Sequence, residues 1–254
     1  MGQIIALAMQ KGGTGKTTST LNLGVELAHL GKKVLLVDID PQANLTSGLG
    51  VNPNDLKYSI YEVLLNPAKG TAFATLETNA GVDLIPSNLI LAGAELELAG
   101  KIGRELMLRK ALSKTAGQYD YVLIDPPPSL GLFTINALVA AGSVITPVQA
   151  QTYALQALPQ LETTIALAKD LNQELEMKGL LITMFDRRTS LSPAVEKQAR
   201  QQYGELVFKS IIPDATRLAE APAYGQPIRV YAPGSAAATA YASLAQEVIM
   251  RYGS

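Results

Sequence analysis

A glycine-rich segment near the start of the chain, residues 10–18, constrains the fold more strongly than any other part of the sequence. It reads Gln-Lys-Gly-Gly-Thr-Gly-Lys-Thr-Thr, with an apolar run at 4–9 before it and an amphipathic segment at 21–30 after it. A strand, a glycine-rich turn and a helix in this order are the context of a phosphate-binding loop. The alternative is an ordinary glycine-rich turn with two solvated lysines, but the spacing and the flanking segments favour the phosphate-binding loop.

Each part of this loop has a physical role. Glycines let the backbone curl until successive N–H groups point at phosphate oxygens, and the following helix adds its N-terminal partial positive charge. Lys16 would reach the β- and γ-phosphates, and the Thr17 hydroxyl would bind Mg²⁺. The residues predicted to bind the nucleotide here are Lys11, Gly12, Gly13, Thr14, Gly15, Lys16, Thr17 and Thr18.

The first position of the loop departs from the common pattern G-x-x-x-x-G-K-[ST]. Gln10 stands where that pattern has glycine, and Lys11 follows it. The resulting sequence K-G-G-x-G-K-T-T resembles the deviant Walker A motif of the ParA/MinD superfamily of ATPases. The resemblance implies that the cofactors are ATP and Mg²⁺. It also implies that Lys11 reaches across a homodimer to the nucleotide of the partner subunit and takes part in catalysis beside Lys16.

Composition limits the classes of chemistry that are available. The 254 residues include no cysteine, which excludes disulfides, cysteine nucleophiles and thiolate metal sites. The net charge is -1, so any contact with nucleic acid must come from a local basic patch. No apolar run approaches the ~18 residues that span a membrane, and no signal-peptide pattern precedes the loop. We therefore expect a soluble, cytoplasmic protein.

Short apolar runs alternate with helical patterns along the chain. The runs are apolar on both faces, as buried parallel strands are, and the alternation predicts βαβ units. The predicted fold class is α/β: a P-loop NTPase with a mostly parallel twisted sheet flanked by helices on both faces, in a single domain over residues 1–254. Further predicted strands lie at 34–37, 82–85, 121–124, 144–145 and 180–182, and further predicted helices at 60–65, 90–102, 105–112, 135–141, 154–171, 194–202 and 236–252.

Two carboxylates follow the second predicted strand, in the segment 37–44, which reads Val-Asp-Ile-Asp-Pro-Gln-Ala-Asn. Open α/β sheets bind ligands at the carboxyl ends of their strands. There, one carboxylate could help to hold Mg²⁺ while the other orients a water. The segment resembles the switch I motif of the same superfamily, which implies that Asp40 positions the attacking water beside Mg²⁺ and that Asp38 supports it. A strand-ending turn, which Asp, Pro and Asn favour, is the alternative.

A third segment, residues 121–131, reads Tyr-Val-Leu-Ile-Asp-Pro-Pro-Pro-Ser-Leu-Gly. Four apolar residues followed by an aspartate, here Asp125, are typical of a Walker B motif, and that aspartate supports Mg²⁺ in P-loop NTPases. The proline run would stiffen the next segment, which suits a switch that senses the γ-phosphate. The superfamily usually has cysteine at the position of Pro126. The predicted metal-site residues are thus Thr17, Asp40 and Asp125.

The resemblance extends over nearly the whole chain and is strongest to the small, Soj-like ParA branch. In that branch the segment after Pro213 lies against the adenine, which implies that Met184 and Pro213 pack on the base. Ordinary core packing is the alternative for Met184. The branch typically has Arg-Asn where this chain has Asp214 and Ala215, so base contacts from those two side chains stay open. The further matching segments are 85–89, 91–95, 134–138, 147–149, 183–189, 212–213, 217–222, 224–225 and 227–228.

Basic residues cluster late in the chain, on a loop, a helix and a strand. In the Soj-like branch a similar patch on the dimer binds DNA through its phosphates, without sequence preference. The resemblance implies the same here, and Arg217 aligns with a DNA-contacting arginine. Solvated surface charge is the alternative, because Glu196 and Glu205 interrupt the cluster. The residues predicted to bind DNA are Arg187, Arg188, Lys197, Arg200, Lys209 and Arg217.

Three functions stay open. A ParA-type homodimer would bind nucleoid DNA and position a cargo such as a chromosome, a plasmid, a carboxysome or a chemoreceptor cluster, while a ParB-like or adaptor protein stimulates hydrolysis. A MinD-like membrane regulator of division would carry a basic amphipathic C-terminal helix, whereas residues 245–254 hold one arginine and no lysine. A biosynthetic ligase of the dethiobiotin or cobyrinic acid synthase type would need a second substrate site, for which the sequence offers no further constellation.

Overall fold

A single sheet forms the centre of the computed structural model, which describes residues 2–152 and 154–253; Met1, Tyr153 and Ser254 lie outside the described residues. Its strands are β1 (Gln3–Leu7), β2 (Val34–Asp38), β3 (Leu76–Glu77), β4 (Asp83–Ile85), β5 (Tyr121–Asp125), β6 (Ser143–Gln149) and β7 (Glu176–Thr183). The spatial order is β3-β4-β2-β5-β1-β6-β7. Neighbouring strands are parallel, except that β3 is antiparallel to β4.

Helices cover the sheet. The α-helices of the described residues are α1 (Lys16–His29), α2 (Asn44–Gly48), α3 (Ile60–Leu65), α4 (Leu91–Leu98), α5 (Met107–Leu112), α6 (Leu132–Ala140), α7 (Leu158–Lys169), α8 (Leu191–Tyr203), α9 (Thr216–Glu220), α10 (Ile228–Tyr231) and α11 (Ala236–Tyr252). Short 3₁₀ turns lie at Pro67–Lys69, Ala72–Ala74, Arg104–Leu106, Ala116–Gln118, Ala154–Ala157, Gly204–Leu206 and Ala221–Tyr224.

The central strands bury both of their faces. Successive strand side chains point to opposite faces, so Leu35 and Val37 of β2 enter one core while Val34 and Leu36 enter the other. Helices α3 to α7 pack on the first core, and α1 and α11 pack on the second. A strand apolar on both faces is stable only between two helical layers, which explains the uninterrupted apolar runs in the sequence.

Helix α1 lies unusually close to the sheet. A Cβ atom placed on Gly24 would stand 2.6 Å from the side chain of Leu36, so this glycine permits the close approach. The helix ends at His29, and Gly31 follows with a φ of 81°, the left-handed conformation that glycine adopts without strain. This packing fixes α1, and therefore the loop that precedes it, against the centre of the sheet.

The predicted fold class is confirmed. The short strand β3 and the short helices α2, α9 and α10 were not predicted, and the other differences concern element ends. The predicted helix at 90–102 ends at Leu98, because Gly100 and the left-handed Gly103 follow and leave Ile102 99% exposed. The predicted helix at 154–171 begins as a 3₁₀ turn, and its α-helical part starts beside Pro159. Strand β6 extends to Gln149, beyond the predicted 144–145.

Candidate nucleotide-binding site

Three adjacent strands bring the predicted motifs to one edge of the sheet. The glycine-rich loop follows β1, Asp38 ends β2, and Asp125 ends β5, which lies between those two strands. Asp38 and Asp125 are direct partners in the parallel register. The carboxyl edge of a parallel sheet is where open α/β folds bind ligands, so the fold itself assembles this site.

The loop after β1 curls as a phosphate-binding loop must. Gly13 and Gly15 have φ values of 72° and 83°, a left-handed conformation that is costly for residues with a side chain. From behind, the Thr183 hydroxyl donates a 2.8 Å hydrogen bond to the carbonyl oxygen of Thr14. Since α1 begins at Lys16, the loop lies at its amino end, where unpaired N–H groups and the helix dipole attract anions.

An open cavity of about 540 Å³ lies over this loop. A second cavity of about 180 Å³ adjoins it, and the two share Gly15, Thr18, Met184 and Leu218. The first cavity is the larger of the two and contains Lys16 and Asp40, whereas the second is lined mostly by apolar side chains. Of the residues predicted from sequence, Gly13, Gly15, Lys16, Thr17, Thr18, Asp40 and Met184 line the first cavity, and Pro213 lines the second.

Three predicted loop residues do not line the cavity of their own subunit. Lys11 and Gly12 are exposed at the tip of the loop, and Thr14 is buried on its inner side. The exposed position of Lys11 differs sharply from that of Lys16, whose side chain is only 6% exposed at the cavity floor. The two lysines of the motif therefore have distinct environments, one inside the site and one outside it.

Lys16 lies between acidic groups. Burial lowers the pKa of its ammonium, and the carboxylates of Asp125 and Asp40 oppose that shift. Phosphate oxygens placed in the cavity would add negative charge beside the ammonium and favour its charged form further. The geometry thus suits an anion at this position.

Asp125 has an oxygen that is free to bind a cation. Its Oδ1 accepts a 3.3 Å hydrogen bond from the Thr20 hydroxyl, whereas its buried Oδ2 has no hydrogen-bond partner among the described residues. Burial raises the pKa of this carboxyl group, and Asp38 adds to the rise, while the Thr17 hydroxyl and Lys16 oppose it. A buried carboxylate oxygen without a donor costs free energy unless a cation or water pairs with it. The donor set, carboxylate and hydroxyl oxygens, fits Mg²⁺.

Asp38 and Asp40 have different surroundings although they are two residues apart. Asp40 faces the cavity, and its Oδ1 accepts a 2.9 Å hydrogen bond from the backbone N–H of Gln42. Asp38 has no exposed surface and accepts hydrogen bonds from the N–H groups of Asp40 and Thr46 and from the Thr46 hydroxyl. Burial raises the pKa of Asp38 to about 7. Only Asp40 can therefore contact a ligand directly.

The second cavity is bounded by the residues predicted to hold the base. Met184 has a φ of 50°, unusual for a residue with a side chain, and its sulfur accepts a hydrogen bond from Gln149 at 3.1 Å. Pro213 and Asp214 border the same cavity, and the N–H of Asp214 donates to the carbonyl oxygen of Phe185. A base here would meet apolar side chains and one carboxylate.

The predicted DNA-binding residues do not form one uniform patch. Arg187, Arg188 and Lys209 border a groove of about 1130 Å³, and Arg188 is paired with Asp186 through its Nε and Nη2 atoms, at 2.9 Å each. Arg200 is half-buried and bonded to Glu196 and to the Phe208 carbonyl oxygen. Lys197 and Arg217 are exposed outside the lining of that groove. Arg200 is therefore the least available of the six for DNA.

Several residues of the site were not among those predicted from the sequence. Thr20 binds Asp125, Thr183 holds the loop, and Thr46 binds Asp38, while Asn44 and Ser47 line the first cavity. Thr20 had a usable signal, because it lies one helical turn after Lys16 on the same face. The contacts of Thr46 and Thr183 depend on tertiary packing and have no local signal.

Comparisons with known proteins agree with this geometry. A family model described as an AAA domain matches residues 2–177. The sporulation initiation inhibitor protein Soj of Bacillus subtilis is 48% identical over 98% of this chain and 98% of its own. The chromosome partitioning protein ParA of Caulobacter vibrioides is 43% identical over 98% of this chain and 94% of its own.

A solved structure is similar over the full length. The cobyrinic acid a,c-diamide synthase from Mycobacterium smegmatis, crystallised with bound ADP and magnesium, has a TM-score of 0.86 and 37% identity, and the match covers 100% of this chain and 97% of that one. That protein thus holds a nucleotide and the metal on the same fold. Since the family model covers more than half of the chain and the relatives match nearly all of it, the chain belongs to the ParA/MinD superfamily of ATPases.

Proposed function

We propose that this chain is a Mg²⁺-dependent ATPase of the ParA type, a single domain over residues 1–254, which dimerises with ATP and positions or partitions a cargo on DNA. One observation carries the proposal: a single cavity joins the amino end of α1, the Lys16 ammonium and the Asp40 carboxylate. Donors and positive charge suit the phosphates, and the carboxylate beside them suits a water that attacks phosphorus.

The residues of one subunit would have distinct roles in binding the nucleotide and in hydrolysis. The loop N–H groups and Lys16 would hold the β- and γ-phosphates. Thr17, Asp40 and the free oxygen of Asp125 would hold Mg²⁺, which when bound would offset charge on the γ-phosphate. Asp40 would orient the attacking water, and Asp38, which accepts from the Asp40 N–H, would fix the backbone there.

Lys11 has no role inside its own cavity, which supports a role in the dimer. Its exposed position at the loop tip leaves the ammonium available to a nucleotide bound by a second copy. A cation supplied in trans at the transferred phosphoryl group stabilises the charge of the transition state. We infer that each Lys11 completes the site of the partner subunit, so that turnover requires the dimer.

We propose that the dimer binds DNA when it positions the cargo. The names of the two curated relatives, a sporulation initiation inhibitor and a chromosome partitioning protein, support a partitioning role, with a ParB-like or cargo-adaptor partner. The exposed Arg187, Lys197, Lys209 and Arg217 would contact phosphates, and Arg188 would do so after leaving Asp186. Dimerisation doubles the number of such contacts, and the dimer would then associate with the nucleoid in the cytoplasm.

The packing of α11 weighs against a MinD-like membrane regulator. Its apolar side chains Tyr241, Leu244 and Val248 are buried in the core beside α1, and Arg251 binds Glu247 and three backbone carbonyl oxygens. A helix that lies on a bilayer needs a free apolar face and a basic rim. No helix of the described residues is both long enough and apolar enough to cross a membrane.

A synthase is the second candidate function, and the structural similarity to the cobyrinic acid a,c-diamide synthase favours it. The curated relatives with partitioning names have higher identities, 43% and 48% against 37%. The two functions share the nucleotide site and differ in what the nucleotide drives. ATP consumption in the absence of any second substrate therefore separates them.

The test is ATP turnover by the purified chain with Mg²⁺ alone, beside sedimentation with ATP and with ADP. We expect slow hydrolysis to ADP and phosphate, and a dimer with ATP but not with ADP. The addition of duplex DNA should increase the dimer fraction. Absence of hydrolysis without a second substrate, together with a monomer in every nucleotide state, would contradict the proposal and favour the synthase.

A further inference from the structure

The buried carboxylate of Asp38 accepts hydrogen bonds from the loop that carries Asp40. Its Oδ1 accepts from the N–H of Asp40 at 3.1 Å, and its Oδ2 accepts from the N–H and the hydroxyl of Thr46 at 2.9 and 2.7 Å. Both ends of the loop 40–46 are thereby bound to one buried carboxylate. Short hydrogen bonds to a carboxylate inside a protein are strong, so this loop has little freedom to move.

The Thr46 hydroxyl extends this arrangement to a second loop. It has one proton, which it donates to Asp38, so its lone pair is free to accept, and it accepts from the N–H of Ser87 at 2.9 Å. Thr46 and Ser87 are both fully buried. The result is a directed chain of hydrogen bonds that runs from the Ser87 N–H through Thr46 to the Asp38 carboxylate.

The loop that contains Ser87 begins at the end of β4 and is anchored there by two contacts. Strand β4 pairs with β2, with Val37 opposite Ile85, and the carbonyl oxygen of Pro86 accepts from the N–H of Ile60 at the start of α3. The loop then enters α4. Asp38 is therefore bound through Thr46 to a segment that is anchored on the sheet and on α3, independently of the loop 40–46 itself.

We propose that Thr46 is a positioning residue for ATP hydrolysis, a role that rests on the proposed ATPase function. Thr46 fixes the loop that carries Asp40, because it joins Asp38 to the anchored segment around Ser87. It acts through Asp38 and touches no nucleotide, since it is fully buried and does not line the cavity. Loss of the hydroxyl would loosen the geometry of the water-orienting carboxylate and leave the phosphate-binding loop unchanged. Small misplacement of a positioning group lowers the rate of the chemical step far more than it lowers ground-state binding.

The test compares Thr46→Val, which keeps the shape and removes the hydroxyl, with Thr46→Ser, which keeps the hydroxyl. Thr146→Val is the matched control, because Thr146 is equally buried and its hydroxyl has no hydrogen-bond partner among the described residues. We expect kcat to fall about tenfold to a hundredfold in Thr46→Val, with the Kd for ATP within about twofold of wild type. Thr46→Ser and Thr146→Val should keep the wild-type kcat.

Three results would overturn the positioning role. The first is a Thr46→Val kcat within twofold of wild type. The second is equal loss of kcat and of ATP-binding stoichiometry in Thr46→Val and Thr46→Ser, in proportion to a fall in Tm, which would mean that Thr46 only stabilises the fold. The third is a wild-type chain without ATP turnover, which would contradict the proposed ATPase function as well. The measurement on wild type therefore distinguishes a failure of the proposed function from a failure of the positioning role alone.

Discussion

The carboxyl groups of Asp38 and Asp125 stand side by side at the ends of adjacent parallel strands, and neither has any exposed surface. Burial raises the pKa of both, and the charge of Asp38 raises that of Asp125 further. Two buried like charges destabilise a fold unless a cation lies beside them. A cation beside this pair would offset the repulsion, so binding of Mg²⁺ should raise the stability of the fold.

The first prediction concerns Asp125→Asn. Without nucleotide, the variant should unfold at the wild-type temperature or a few degrees higher, because a buried carboxylate that repels Asp38 is gone. Wild type with ATP and Mg²⁺ at a hundred times Kd should gain about 2.7 kcal/mol of stability, and the variant should lose the part that depends on Mg²⁺. Thermal unfolding with and without chelator measures both effects.

The control for that variant is Asp120→Asn, at the exposed amino end of the same strand. Its amide oxygen can still accept from the N–H of Lys33, so the response to Mg²⁺ should equal that of wild type. An Asp125→Asn protein that Mg²⁺ and ATP stabilise as much as wild type would remove Asp125 from the metal site.

The second prediction concerns Asp40. Asp40→Ala should lower kcat by at least about a hundredfold and keep the ATP affinity, because a carboxylate that orients the attacking water acts mainly in the transition state. ATP-bound dimer should accumulate in sedimentation. Asp40→Asn retains an oxygen that can accept from Gln42 and so preserves the turn; equal slowing in both variants assigns the effect to charge. Wild-type turnover in Asp40→Ala would exclude the role.

The third prediction separates the two lysines of the loop. Lys16→Ala should weaken ATP binding about tenfold to a hundredfold, because a charged donor at the cavity floor is lost. Lys11→Ala should leave the affinity of the monomer near the wild-type value and impair dimerisation and turnover. Equilibrium binding beside sedimentation measures both. Equal loss of affinity in the two variants would contradict a role for Lys11 across the dimer.

The sequence predicted the fold, and which residues would meet at this site, wherever the signal was local. The glycines of the loop, the apolar run before Asp125 and the helix after Ser235 each depend on neighbouring residues, and the structure places them as expected. The contact of Thr46 with Ser87 joins residues 41 positions apart and requires the pairing of β2 with β4. No pattern along the chain encodes such a contact.

The availability of the basic residues for DNA was also difficult to predict from the sequence. A sequence shows where arginines occur, but not which of them are already paired. Arg188 is bound by Asp186 in a turn, which no local pattern indicates, whereas the pair of Glu196 and Arg200 lies one helical turn apart in a predicted helix. The availability of each guanidinium for DNA is a property of the folded surface.

The fourth prediction concerns Arg217, which is exposed and lies at the start of α9. Arg217→Glu should weaken binding to random-sequence duplex in the presence of ATP and leave basal hydrolysis near the wild-type rate. Lys33→Glu is the matched control. It makes the same change of charge on an exposed residue just before the amino end of β2. Equal loss in both variants would indicate a net-charge effect without a specific patch.

The last prediction concerns the pair of Asp186 and Arg188. Asp186 and a DNA phosphate would compete for the edge of the Arg188 guanidinium formed by Nε and Nη2, because the Asp186 carboxylate now occupies it. Asp186→Asn keeps an oxygen that accepts from the Arg188 N–H but removes the charge, so it should tighten DNA binding with ATP. Every additional phosphate that the variant neutralises should steepen the dependence of log K on log salt by about 0.9. A salt series on random duplex measures that slope, and an Asp186→Asn slope and affinity equal to those of wild type would mean that Arg188 does not contact DNA.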